Sequence, residues 1–153
     1  MNLLILSRPG IRIFQILRRS ETAWHALKFY EPIEISVGLY IQVGSISAGL
    51  SLASDLKYFI RKYGVSHFFE IRPGIFCTPA IARGLYLDRN LPDNHSDSHR
   101  YWLWIRNDGE VMRYCQRPDD ITYSGEEGDM GGYIFEITCN EPEYKICKDL
   151  ILK

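Results

Sequence analysis

Residues 100–116 read Arg-Tyr-Trp-Leu-Trp-Ile-Arg-Asn-Asp-Gly-Glu-Val-Met-Arg-Tyr-Cys-Gln. Two β-prone runs flank Asn107-Asp108-Gly109, and an Asp-Gly pair between such runs is a strong short-range hairpin signal. The first run is apolar on both faces. Tyr101, Leu103 and Ile105 alternate with Trp102 and Trp104, so the two sets point to opposite sides of a strand. Such a strand must be covered on both sides, by its own domain or by a partner. Turn length decides the register. A two-residue Asp108-Gly109 turn pairs Trp104 with Arg113 and makes a mixed, stackable surface. A three-residue Asn107-Asp108-Gly109 turn pairs Trp104 with Met112 and Trp102 with Tyr114 and makes a core face.

On either side of the hairpin the pattern mixes strands and helices. Residues 2–6 read as a strand. Arg8-Pro9-Gly10-Ile11 fits a type II turn, and so does Arg72-Pro73-Gly74-Ile75, with Pro fixing φ and Gly supplying φ > 0. Residues 11–17 suit either a strand or a helix start, and Ser20 opens a short helix. Residues 33–43 alternate without a break from Ile33 to Val43, which predicts one long strand with one face on the core. The spacing of Leu52, Leu56, Phe59, Ile60 and Tyr63 predicts a single helix over 47–63. A strand follows over 65–71, with one helical turn within 79–87. Tyr133–Thr138 reads as a strand. Asn140-Glu141-Pro142-Glu143 opens a helix over 141–152 with a capping box, whose inward stripe is Tyr144, Cys147 and Ile151. These elements predict a single α+β domain over 1–153, with a mostly antiparallel sheet and two or three helices.

At 153 residues, 46% hydrophobic and 24% charged, the chain is long enough to bury a core without metal or disulfide support. Net charge is −1, but the halves differ. Residues 1–75 carry nine Lys/Arg and five Asp/Glu; residues 76–153 carry nine and fourteen. No segment approaches the roughly 20 apolar residues of a membrane span, and Met1–Arg8 lacks the features of a signal peptide. A cytoplasmic location is therefore expected. Cys77, Cys115, Cys139 and Cys147 form no CxxC pair and read as buried free thiols.

Four constellations carry possible chemistry. Asp93, His95, Asp97 and His99 alternate metal-capable side chains, although the surrounding Asn, Ser and Pro suit a solvated loop. His67, Glu70 and Arg72 offer an acid, a base and a cation for phosphoryl chemistry, with His99 as a further candidate. Parity counts against them, because positions 67 and 70 face opposite sides of a strand. Asp119, Asp120, Glu126, Glu127 and Asp129 fall within eleven residues and suit either a solvated loop or an acidic patch that steers a cationic partner. Trp102, Trp104, Arg106 and Arg113 have the composition of a protein-interface anchor or a base-stacking surface. The acidic second half favours protein over nucleic acid, since phosphate contacts need surplus Lys/Arg.

No nucleotide, zinc-protease or hydrolase motif is present, and no cofactor is implied. The expected function is therefore a small protein-binding module. Its most concrete form is an inhibitor or immunity-type protein docking on the basic surface of an enzyme through the acidic loop and the hairpin. In general make-up these two features resemble small bacterial immunity proteins, with no motif from which to carry residues over. The alternative is an enzyme acting on nucleic acid or a nucleotide.

Overall fold

A computed structural model describes residues 1–88, 99–106, 108–115 and 132–151. Six α-helices and eight strands are formed, and among the described pairings only one is parallel, so the fold is α+β and mostly antiparallel. The chain divides into two compact units, Met1–Ile71 and Arg72–Lys153. The boundary falls beside the second Arg-Pro-Gly turn. In both such turns glycine takes a positive φ, +77° at Gly10 and +76° at Gly74, as a type II turn requires.

The first unit holds β1 (Asn2–Ser7), α1 (Ile13–Arg19), α2 (Glu21–Leu27), β2 (Ile33–Ile35), β3 (Gly38–Gln42), α3 (Ile46–Asp55), α4 (Lys57–Tyr63) and β4 (Gly64–Arg72). Its strands lie in the order β2-β3-β1-β4. The ambiguous segment 11–17 resolves as helix, and Ser20 caps α2 by accepting a hydrogen bond from the Ala23 N–H. Leu3, Ile5, Leu39, Ile41 and Phe69 are completely buried on one sheet face, each contributing about 2 kcal/mol of gross burial energy. Gly49 of α3 sits against this face; a Cβ there would stand 3.2 Å from Phe69.

Two expectations change here. Residues 33–43 are not one strand but a hairpin, β2 and β3, reversing at Ser36-Val37 with Ile35 opposite Gly38. Alternation survives the reversal because a two-residue loop keeps the inside-outside parity, and neither turn residue is a conventional turn former. The helix expected over 47–63 begins at Ile46 under a Ser45 cap and breaks at Leu56, where ψ is 7°. The stripe nonetheless holds: Leu52, Leu56 and Ile60 are all buried.

The second unit holds β5 (Ile75–Cys77), α5 (Pro79–Asp88), β6 (His99–Arg106), β7 (Val111–Tyr114), β8 (Gly132–Cys139) and α6 (Glu141–Ile151). Strand order is β5-β8-β6-β7. α5 extends the single turn expected there to ten residues. The capping box of α6 forms as its sequence implies. The Glu143 N–H donates to Asn140 Oδ1 at 2.9 Å, and the Asn140 N–H donates to Glu143 Oε1 at 3.2 Å. Thr78 Oγ1 also donates to Glu143, at 2.8 Å, fixing the helix start beside β5. Asn140→Ala is expected to lower stability by about 1 kcal/mol and Asn140→Ser to restore most of it, as read from urea denaturation midpoints.

Candidate binding surface

The hairpin takes the three-residue register. Trp104 lies opposite Met112 and Trp102 opposite Tyr114. The Gly109 N–H donates to the Arg106 carbonyl and the Arg106 N–H to the Glu110 carbonyl, with Gly109 at φ +90°. A type I turn closed by a left-handed glycine gives this pattern. The register places Arg113 opposite Leu103, on the face away from both tryptophans. The mixed Trp104–Arg113 surface of the two-residue turn is therefore not formed.

β6 is buried on both sides. Tyr101, Leu103 and Ile105 are 6%, 0% and 2% exposed, and Trp104 is 7% exposed. Around Trp104 the polar groups are already paired. The Arg106 guanidinium lies 5.3 Å from the Trp104 ring, and it bridges to Asp108 at 3.4 Å and Glu110 at 3.2 Å. Arg100 bridges to Glu136 at 2.9 Å. Guanidinium groups held by carboxylates make a poor phosphate cradle, which weakens a nucleic-acid reading of this face. The accessible part of the face is different: Met112 is 37% exposed, Trp102 and Tyr114 are half-buried, and the Tyr114 hydroxyl donates to Met112 Sδ at 3.4 Å. The Trp102 Nε1–H is buried without an acceptor.

The residues considered for catalysis do not converge. His67 pairs with Ile5 and its ring meets Phe69 at 5.6 Å. Glu70 lies on the opposite face, as parity required. There it accepts hydrogen bonds from Asn2 Nδ2 at 2.7 Å and from the Tyr40 hydroxyl at 3.3 Å. Arg72 is exposed. His99 is at the start of β6, its ring 5.0 Å from Tyr144 and its Nδ1 buried without a partner. Asp93, His95 and Asp97, and the acidic residues Asp119, Asp120, Glu126, Glu127 and Asp129, lie outside the described residues. Among the described residues no group of three His, Cys, Asp or Glu side chains is arranged to hold a metal.

The cysteines are free thiols, with Cys77, Cys139 and Cys147 buried. Burial, reinforced by the Glu143 carboxylate, pushes Cys77 and Cys139 up to about 12, so neither is a thiolate nucleophile at neutral pH. Tyr40 is likewise pushed up to about 12, first by burial and then by the Glu70 charge. An unfolded tyrosine titrates near 10. Between these values the folded state keeps a proton that the unfolded chain has released. Stability present below about pH 10 therefore falls as pH rises toward 12. The phenolate absorbance difference between wild type and Tyr40→Phe should titrate near 12; a midpoint near 10 would refute the assignment.

One feature was not legible from sequence. A cleft of about 320 Å³ on the first unit is lined by Ser7, Ile11, Arg12, Glu34, Ile35, Ser36 and Gly38. Arg12 forks onto Glu34 through Nη2 and Nε. The two residues are 22 positions apart and meet only because the chain reverses at Ser36-Val37, which no residue type announces.

Among the described residues no helix is long and apolar enough to cross a membrane. Comparison of the chain with protein-family models, with curated proteins and with solved structures gives no match.

Proposed function

We propose that the chain is a protein-binding module that docks through the β6–β7 hairpin. One observation carries this reading: Trp102, Met112 and Tyr114 form a half-exposed ribbon on the two outermost strands of the second unit. Aromatic and Met side chains in that setting are the usual anchors of protein interfaces. Trp104 and Arg106 support the ribbon from beneath and do not themselves meet a partner. The most concrete form of the function is an inhibitor or immunity-type protein acting on an enzyme with a basic surface. The surplus acid of residues 76–153 supports a cationic partner.

Capture of the partner from native lysate supplies the reagent for the test. The double variant Glu126→Lys/Glu127→Lys is expected to slow association about tenfold and flatten its salt dependence. Met112→Ser and Tyr114→Ser are expected to speed dissociation by a similar factor. Unchanged kinetics in all of these folded variants would overturn the proposal.

A further inference from the structure

β7 is the last strand of its sheet among the described residues. In an antiparallel pair, residues that exchange hydrogen bonds alternate with residues whose N–H and C=O point away. The Arg106 N–H donates to the Glu110 carbonyl, so positions 110, 112 and 114 turn their backbone groups toward β6. Val111 and Arg113 turn theirs outward.

Edge strands are normally blunted by proline, brevity or a charge set against pairing. The other terminal strand, β2, is blunted in this way: it has three residues, follows Pro32 and carries Glu34, which Arg12 holds. β7 has four residues, Val-Met-Arg-Tyr, with high strand propensity and no proline. Its surroundings are acidic. Asp108 and Glu110, with side chains 52% and 67% exposed, stand at the turn that opens it.

We infer that β7 receives an extended, basic segment of another protein as an additional strand, bonded to the outward backbone groups of Val111 and Arg113. Main-chain bonds would supply affinity in this mode and side-chain pockets specificity. The lysines or arginines of the incoming segment would meet the carboxylates beside the turn. This rests on the reading of the hairpin as a docking element and specifies how it docks.

The probe is a synthetic peptide of about eight alternating Lys and Val residues, a typical strand length, with a Glu-Val peptide as control. The Lys-Val peptide is expected to slow hydrogen exchange of the Val111 and Arg113 amides about tenfold, and the Glu-Val peptide to leave them unchanged. Val111→Pro removes an outward N–H and no inward one, so the hairpin stays folded and protection at Arg113 is lost. No protection at these amides, or equal protection by both peptides, overturns the inference. Protection that grows with protein concentration in the absence of peptide means that a second copy takes the edge, and also overturns it. If the captured partner is weakened by Met112→Ser and Tyr114→Ser but unaffected by Val111→Pro, strand addition fails while hairpin docking stands. If none of the three variants matters, both fail.

Discussion

Gly38→Ala is expected to destabilise the first unit by about 3 kcal/mol or more, enough to unfold a marginal domain. An ideal Cβ at this position would lie 1.9 Å from the Ile5 carbonyl oxygen and 3.1 Å from the Leu6 Cα. Both neighbours are backbone, so no side chain can swing aside. Gly38 opens β3 and pairs with Leu6 and with Ile35, and the Ser7 N–H donates to the Val37 carbonyl at 2.7 Å just before it. Admitting a methyl group means prising β1 from β3 in the centre of the sheet. Gly44→Ala is the matched control. Nothing lies within 4 Å of its Cβ position, and the change should stay within about 0.5 kcal/mol. Guanidinium denaturation of both variants measures the difference; equal midpoints would show that the two strands separate cheaply.

Trp104→Ala is expected to cost about 3 to 4 kcal/mol of stability, the usual range for removing a large buried aromatic. Trp104 is 7% exposed, stacks at 6.4 Å from Tyr114 and carries Arg106 over its ring. Met112 stands opposite Trp104 on the same face but is 37% exposed. Met112→Ala should therefore cost less than about 1 kcal/mol. This contrast separates the parts of the hairpin that hold it together from the parts left to meet a partner. A Trp104→Ala protein with wild-type stability would mean that the ring is not packed and would return it to the list of contact residues.

Local signals in the sequence were good guides wherever one residue type enforced one backbone state. The Pro-Gly pairs at 9–10 and 73–74 turned as glycine with positive φ requires. The Asn140/Glu143 box capped its helix, and the 52–56–60 stripe was buried. Parity separated His67 from Glu70 as the count of residues dictated. What failed was the inference from an unbroken pattern to an unbroken element. Strict alternation across 33–43 concealed a reversal at Ser36-Val37, and one helical stripe across 47–63 concealed a break at Leu56. A periodic pattern reports which side of the chain is buried. It does not report whether the chain continues straight, because a two-residue loop and a single bent residue both preserve the buried side.

The candidate site divides along the same line. The sequence by itself determined that residues 100–115 form a hairpin, that the first strand must be covered on both faces, and that its turn has two or three residues. Local propensity and an Asp-Gly pair suffice for that. Only the tertiary structure decided the turn length. It did so because β8 and β7 flank β6 and hold it between Ile134 and Met112 at Trp104. One residue of register then set every contact that follows. It put Trp104 in the core, sent Arg113 to the far face, left Met112 and Tyr114 partly open, and aimed the backbone of Val111 and Arg113 outward. A slip of one residue exchanges the two faces of a strand. Only pairing on both sides fixes the register, and no local sequence signal carries that information.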